Sequence, residues 1–285
     1  MTDRIENMIV DNKMTLSEFQ VRALLSSGQG PKHFKRTRVF RPKTVVYFDQ
    51  NVFSDLNDDE IAFCKKNRKT KFAYSPAHAE EMFRMQQGDK KDRIISIISH
   101  LTNGLSIQPK SGQEPMRFFK EELGCVIDRC KSDRDATGVV EQIKIANIDS
   151  NKNPDPEKIK EINNRISNVL MDLTDEEFSK LIKESKSHSP SSRKEDFSKF
   201  RDFGSINHCF YTLHNILDVM NFKVDRGERA KRSALYDIEH TKYASACDIF
   251  VTEDKRLLSR AKIIFEFMGM KTLVGTKEQF FSGAM

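Results

Sequence analysis

The sequence lacks the cysteine patterns that build disulfide frameworks and structural zinc sites. Its five cysteines are odd in number and form no CxxC pair, whereas such sites need paired or closely spaced thiols. We therefore expect reduced, mostly buried thiols. The chain also has only 12 glycines, and none forms the GxGxxG cluster that cradles a dinucleotide, which excludes a dinucleotide-binding domain of that type.

Long apolar runs are absent as well. No run approaches the roughly 20 residues needed to cross a bilayer. The first residues, MTDRIENMIVDNKM, are charged throughout and lack the apolar core of a signal peptide. We therefore expect a cytoplasmic protein with no membrane partner. The net charge of +6 is compatible with a nucleic-acid partner but does not establish one.

Short runs of β-forming residues predict a sheet, and helical patterns lie between them. The predicted strands are Thr44–Asp49 (TVVYFD), Lys71–Ser75 (KFAYS), Asp248–Thr252 (DIFVT) and Lys271–Val274 (KTLV). The predicted helices nearest to them are His78–Gln87, Phe203–Phe222, Ala234–Ala246 and Lys255–Met268. The first strand is apolar without alternation, which is typical of a parallel strand covered on both faces. This order predicts a three-layer α/β/α sandwich on a central parallel sheet.

The composition divides the chain into four parts. Residues 1–43 form an arm with a short helix near Thr15–Leu25 and a basic segment, and residues 44–108 form the first part of the α/β domain. Residues 109–201 are rich in charge and predict a helical insertion or lobe, and residues 202–285 complete the α/β domain. Within the lobe, apolar periodicity predicts helices around Phe118–Ile127, Val139–Ile148 and Ile159–Leu181.

Two aspartates lie at the ends of predicted strands. Asp49 ends TVVYFD, and Asp254 lies two residues after DIFVT. Ligands of an open parallel sheet bind beyond the carboxyl ends of its strands, and two carboxylates there can share Mg²⁺ or Mn²⁺. The alternative for each residue alone is a helix N-cap or a loop turn. Asp248 starts its strand, at the other edge, and is expected to cap or anchor that strand.

Four segments carry a family resemblance. VVYFDQNVFSDL (Val45–Leu56) pairs an apolar strand with Asp, any residue and Asn before a helix, and FAYSPAHAEEM (Phe72–Met82) brings an acid onto a helix after a strand. DIEHTKYASACDIFVTEDKRLLSRA (Asp237–Ala261) and the final KTLVGTKEQF complete the set. Together they resemble the PIN-domain nucleases, in the order of that family and over about a third of the chain. Residues 109–201 match nothing in it.

The resemblance implies a catalytic site of four metal-binding carboxylates. These are Asp49, Glu81, Asp237 and Asp254. The second acid of the family precedes an apolar pair, which Met82 and Phe83 supply for Glu81. Glu80 is the alternative acid, and adjacent helix positions point about 100° apart, so only one of the two can face the site.

Three further residues would support that site. The resemblance implies that Asn51 makes hydrogen bonds around Asp49 and holds the loop, and that Thr252 supports the site through its hydroxyl. His240 follows Asp237 by one helical turn and could touch a substrate phosphate or an acid. A structural hydrogen bond is the alternative for this histidine.

Two basic segments are candidate contacts for a substrate backbone, because phosphate neutralisation dominates nucleic-acid affinity. The first, Pro31–Lys43, includes Lys35, Arg36 and Arg38, and the second, Lys223–Arg232, includes Arg229, Lys231 and Arg232. A solvated basic linker explains the first segment equally well.

The resemblance implies an endoribonuclease that needs Mg²⁺ or Mn²⁺ and cuts single-stranded RNA, with a toxin or phage-defence effector among the implied roles. A structure-specific DNA nuclease and an inactive nucleic-acid-binding or scaffold protein stay open as alternatives. A haloacid-dehalogenase phosphatase is excluded because position 51 is Asn where that class needs a second Asp. The resemblance also implies a homodimer, and the helical lobe could shape that dimer, bind a partner or inhibitor protein, or gate the site.

Overall fold

The computed structural model describes residues 37–67, 69–132, 156–164, 168–224 and 228–285. Its centre is a parallel sheet of four strands: β2 (Thr44–Phe48), β3 (Thr70–Ala73), β6 (Ile249–Val251) and β7 (Leu273–Gly275). Their order across the sheet is β3-β2-β6-β7. The sequence prediction of a parallel α/β sheet from these four segments is confirmed.

Strand β2 runs through the middle of the core and is covered on both faces. Val45 and Tyr47 pack into one hydrophobic cluster, and Val46 and Phe48 pack into another. All four side chains are fully buried. The absence of polar alternation in TVVYF therefore has a simple cause, since neither face of the strand meets water.

Helices cover both faces of this sheet. Before the lobe they are α1 (Gln50–Asp55), α2 (Asp58–Lys66), α3 (Pro76–Arg84) and α4 (Asp89–Thr102). They continue with α5 (Leu123–Ser132), α6 (Pro156–Asn164) and α7 (Asp175–Glu184). The last are α8 (Phe203–Val219), α9 (Glu228–Ala244), α10 (Lys255–Phe267) and α11 (Lys277–Phe281). A 3₁₀ turn, Lys194–Asp196, precedes α8.

A second, antiparallel sheet lies beside the first and was not predicted. Its strands are β1 (Thr37–Arg38), β4 (Leu105–Gln108) and β5 (Arg117–Lys120), in the order β1-β5-β4. A parallel bridge between Tyr74 and Ser106 joins it to the end of β3. The predicted helix at Phe118 is therefore wrong at its start: Phe118 and Phe119 lie in β5, and the helix begins only at Leu123.

The lobe predicted for residues 109–201 shares the main core where it is described. Phe178 of α7 and Phe197 lie in the same buried cluster as Tyr47 of β2, and both rings contact Phe267 of α10. Within the predicted span Ile159–Leu181 the structure has two helices, α6 and α7. A capping box at Thr174 begins the second helix. The predicted helices at 15–25 and 139–148 lie outside the described residues.

The order of the strands creates a switch point. From β2 the chain passes to β3 on one side, whereas β6 lies against the other side of β2. Asp49 directly follows β2, and Thr252 directly follows β6. Ligand crevices of open α/β sheets lie at such a point, beyond the carboxyl ends of the strands. Among the described helices, none is long and apolar enough to cross a membrane.

Candidate functional site

The Asp49 carboxylate is held rigidly at the carboxyl edge of the sheet. Its backbone N–H donates to the Val251 carbonyl at 2.9 Å, and its side chain is nearly inaccessible, with 4% of the residue exposed. Oδ1 accepts from the Gln50 N–H at 2.7 Å, and Oδ2 accepts from the Thr252 hydroxyl at 2.9 Å. The structure thus places the Thr252 hydroxyl on Asp49, as the resemblance implies.

His240 of α9 brings Asp49 and Glu81 together. Its Nε2 lies 2.9 Å from Glu81 Oε2 and 3.8 Å from Asp49 Oδ1. Burial by itself lowers the pKa of His240, but attraction to Glu81, Asp49 and Asp237 outweighs it and raises this pKa to about 9. At neutral pH the ring is therefore an imidazolium that two carboxylates share.

Burial acts on the pKa of the Asp49 carboxyl in the opposite direction from its action on His240. Burial raises its pKa, the charge of His240 opposes that rise, and repulsion from Glu81 adds to it. Three acidic side chains, those of Glu81, Asp49 and Asp237, thus act on one imidazolium. An arrangement of this kind favours a further cation.

A buried polar chain beneath His240 fixes the orientation of its ring. His240 Nδ1 lies 2.8 Å from the Tyr47 hydroxyl, which lies 2.6 Å from Ser75 Oγ. Because both nitrogens of an imidazolium are donors, the Tyr47 oxygen accepts from Nδ1 and donates its own hydrogen to Ser75. The ring of His240 is therefore locked between a hydroxyl below and carboxylates above.

A second histidine in this buried polar chain, His78, is neutral. His78 Nδ1 accepts from the Ser75 N–H at 3.1 Å, so the hydrogen is on Nε2, which donates to the Phe48 carbonyl at 2.9 Å. Burial, and then repulsion from His240, lower the pKa of His78. The bond to Phe48 ties α3, which carries Glu81, to the residue just before Asp49.

The structure places Glu81, and not Glu80, against His240. The Glu80 carboxyl lies in the field of Glu239 and Lys242 instead, and burial, followed by repulsion from Glu239, raises its pKa to about 8. The two adjacent glutamates of α3 thus serve different clusters, as the 100° step of a helix requires.

Asp254 is occupied by its own helix. Its Oδ1 accepts from the N–H groups of Arg256 and Leu257 at 2.7 and 3.0 Å, which caps α10. Its backbone N–H donates to Thr252 Oγ1 at 3.1 Å, so a single hydroxyl separates it from Asp49. Both aspartates that the sequence places after strands cap the helix that follows, and Asp49 in addition reaches the histidine.

Asp237 and Asn51 take more peripheral positions. Asp237 is partly buried one turn before His240, and its carbonyl accepts from the Thr241 hydroxyl at 2.6 Å. Asn51 is exposed, and its carbonyl accepts from the Ser54 hydroxyl at 2.8 Å. The hydrogen bonds that hold the Asp49 carboxylate come from Gln50 and Thr252, so the supporting role that the resemblance gives to Asn51 stays a prediction.

Arg41, in the described part of the first basic segment, lies at the other edge of the parallel sheet. Arg41 donates to Asp248 Oδ1 at 2.7 Å, and Asp248 Oδ2 accepts from the Val45 N–H at 2.7 Å. The expected anchoring role of Asp248 is confirmed. Arg38 is exposed in β1, in the second sheet. Lys35 and Arg36 lie outside the described residues, as do the side chains of Arg229, Lys231 and Arg232.

Sequence reasoning missed the chain formed by Tyr47, Ser75 and His78. The signal that could have found it is a tyrosine inside an otherwise apolar strand, because a buried phenolic O–H needs a hydrogen-bond partner. Ser75 and His78 stand at the start of a predicted helix, where capping accounts for polar residues. Their common side-chain partner is Tyr47 of β2, which in turn reaches His240 of α9, far along the chain.

A hard divalent cation fits part of this arrangement. Asp49 and Glu81 already share one positive charge, and carboxylate oxygens are the ligands that Mg²⁺ and Mn²⁺ prefer. Over the described ranges, no three Asp, Glu, His or Cys side chains are grouped so as to hold a metal ion. The geometry offers two convergent carboxylates with Asp237 nearby, whereas the resemblance implies four.

No family model, curated protein or solved structure matches the chain.

Proposed function

We propose that the chain is a metal-dependent nuclease with a PIN-like site, and that it hydrolyses phosphodiester bonds in RNA. The observation that carries the proposal is the convergence of Asp49 and Glu81 on one positive charge, at the switch point of a parallel sheet. Carboxyl groups gathered at a rigid sheet edge supply the oxygen ligands that a Mg²⁺ or Mn²⁺ site needs.

Asp49 and Glu81 are the residues that would hold the metal. When bound, such an ion activates water and neutralises charge on the phosphoryl oxygens. Thr252 orients Asp49 by donating to Oδ2, and His240 holds the Glu81 carboxylate through Nε2. Asp237 adds negative potential to the same place. The bond from Thr252 orients Asp49 before a cation arrives, and a bound ion would share the two carboxylates with His240.

The preference for single-stranded RNA over DNA rests on the family resemblance. A structure-specific DNA nuclease uses the same carboxylate chemistry, so a cleavage assay includes both nucleic acids. A role as a toxin or phage-defence effector belongs to the same proposal and predicts that expression of the active protein slows cell growth.

A nucleic-acid-binding protein without activity is the second candidate. The specific observation in its favour is that Asp254 is committed to capping α10 while His240 supplies a cation to Asp49 and Glu81. In this case the histidine would replace the metal permanently. Nucleic acid would then bind, but no product would appear with Mg²⁺ or Mn²⁺.

The decisive test is cleavage of labelled single-stranded RNA and DNA by purified protein with Mn²⁺, with Mg²⁺ and with EDTA. We expect RNA cleavage that EDTA abolishes. We expect Asp49→Asn to slow it at least about a thousandfold, because metal stabilisation contributes several kcal/mol. Asn keeps an oxygen for the Gln50 N–H, so the fold should persist.

Asp248→Asn is the matched control, because it neutralises an aspartate of the same sheet at the opposite edge. It should cut as fast as wild type. Equal rates for wild type and Asp49→Asn would show that the activity does not come from this site. RNA binding without cleavage in every metal would favour the second candidate.

A further inference from the structure

A second cluster of buried charges lies on another face of α9. Lys242 is fully buried, and its Nζ lies 2.6 Å from Glu239 Oε1 and 2.8 Å from Asn207 Oδ1. The Tyr211 hydroxyl donates to the same Glu239 oxygen at 2.9 Å. An ammonium and a carboxylate are thus enclosed in the core, joined by hydrogen bonds to α8.

Aromatic rings enclose the Lys242 ammonium on the sides that carry no hydrogen-bond partner. Nζ lies 5.0 Å from the ring centres of Phe203 and Tyr243 and 5.9 Å from that of Tyr211. Such distances allow cation–π attraction, which is strong for a desolvated cation. The ammonium therefore has one preferred position, set by a carboxylate on one side and rings on the others.

The residues of this cluster lie on one face of α8 and one face of α9, and their spacing brings these two faces into contact. Phe203, Asn207 and Tyr211 follow one another at intervals of four in α8, which places them on one face. Glu239 and Lys242 are three apart in α9 and meet that face. Pairs at these spacings define the rotation of each helix about its own axis, because each step along a helix turns the side chain by about 100°.

The rotation of α9 also decides where its site residue lies. His240 follows Glu239 directly and must reach the Tyr47 hydroxyl and Glu81 from the same helix. A buried ion pair is not needed for stability, since well-packed apolar side chains of similar volume often replace one without loss. Its presence in the core next to the site residues calls for a positional explanation.

We propose that Lys242 and Glu239 are a positioning pair, which fixes the rotation of α9 against α8 and thereby holds His240 between Tyr47 and Glu81. The consequence for cleavage rests on the proposed nuclease function. The positioning of His240 does not, and it can be measured without substrate or metal.

The main test replaces the pair by apolar side chains in Glu239→Leu/Lys242→Met. The readout is the ¹⁵N–¹H spectrum of the histidine rings in the metal-free protein, with the His240 signals assigned by their loss in His240→Gln. We expect the thermal unfolding midpoint to be retained while the His240 signals move. In the metal-loaded protein, kcat should fall about 10- to 100-fold with a smaller change in KM, as for other residues that orient a ligand from behind.

Two variants separate positioning from general packing. Glu239→Gln keeps an oxygen that accepts from Tyr211 and Lys242, so it should restore the wild-type His240 signals. Leu213→Ala removes packing from the hydrophobic cluster that also contains Phe203 and Tyr243, where Leu213 is fully buried, and leaves the pair intact. It should lower the unfolding midpoint while the His240 signals stay in place.

Tyr211→Phe covers the case in which the double variant does not fold. It removes one hydroxyl from Glu239 and keeps the ring, and we expect a smaller movement of the His240 signals. Unchanged His240 signals in every folded variant of the pair and of Tyr211 would overturn the proposal. If wild type cuts no RNA while these signals move as expected, the nuclease proposal fails and the positioning pair stands.

Discussion

The two edges of the parallel sheet both carry aspartates, and the protein uses them differently. At the amino edge, Asp248 accepts from the Val45 N–H and from the Arg41 guanidinium, each at 2.7 Å. At the carboxyl edge, the cationic Nε2 of His240 lies 3.8 Å from Asp49 Oδ1 and closer to Glu81. One aspartate has a charged partner of its own, and the other shares its cation.

The difference separates an anchoring aspartate from a candidate ligand. Arg41 neutralises Asp248 within the fold. Asp248 therefore anchors the start of a strand, and its charge is already paired. Asp49 and Glu81 share one imidazolium, and the charge of Asp237 acts on the same ring. A strand-flanking carboxylate becomes a candidate ligand where the fold leaves negative charge in excess.

The largest effect on this comparison should come from His240→Gln, which removes the cation from the carboxyl edge. Breaking a buried charged pair leaves an uncompensated charge, and we expect a loss of about 3 kcal/mol in the free energy of unfolding of the metal-free protein. Mn²⁺ should then restore more stability in the variant than in wild type, because a ligand that binds only the folded state stabilises it.

Urea unfolding with and without Mn²⁺ measures this prediction. His78→Gln is the control, since His78 is buried in the same polar chain but is neutral. It should lose stability without a larger response to Mn²⁺. An equal response of His240→Gln and wild type to Mn²⁺ would contradict the idea that histidine and metal serve the same carboxylates.

A smaller effect should follow Asp248→Ala at the amino edge. The substitution leaves the Val45 N–H and Arg41 without this acceptor, and we expect a loss of about 1–2 kcal/mol, because Arg41 is half-exposed and its ion pair is screened by water. RNA cleavage should be unchanged once the protein is folded. A large loss of cleavage in a folded variant would mean that the two edges are coupled.

The parallel sheet that carries both aspartates could be predicted from the sequence, because its four strands are runs of β-forming residues with buried neighbours. The strands of the second sheet could not. LSIQ and RFFK each mix two apolar with two polar residues, and Phe118 also fits the periodicity of the helix that follows. Pairing with a distant strand decided the outcome, and propensity in a short segment does not contain that information.

The acidic residues of the candidate site could be predicted from the sequence, whereas the hydrogen bonds that link them through His240 could not. Asp49 follows an apolar strand, which is a local pattern. The link from Glu81 through His240 to Tyr47 joins residues that are 159 and 193 positions apart, and no local rule pairs them. The role of Asp254 stayed open for another reason: an aspartate before a helix is both a good N-cap and a good ligand.

Asp254→Asn separates those two roles and should have the smallest effect. Asn is as good an N-cap as Asp, so the free energy of unfolding should change by less than about 0.5 kcal/mol. If capping is the role of this residue, as its bonds to Arg256 and Leu257 indicate, the variant should still cut RNA. Asp254→Ala should lose about 1 kcal/mol and the same cleavage should survive in the folded protein. Cleavage that fails in Asp254→Asn while stability is kept would return Asp254 to the metal, and the carboxyl edge would then bind through three aspartate and glutamate side chains instead of two.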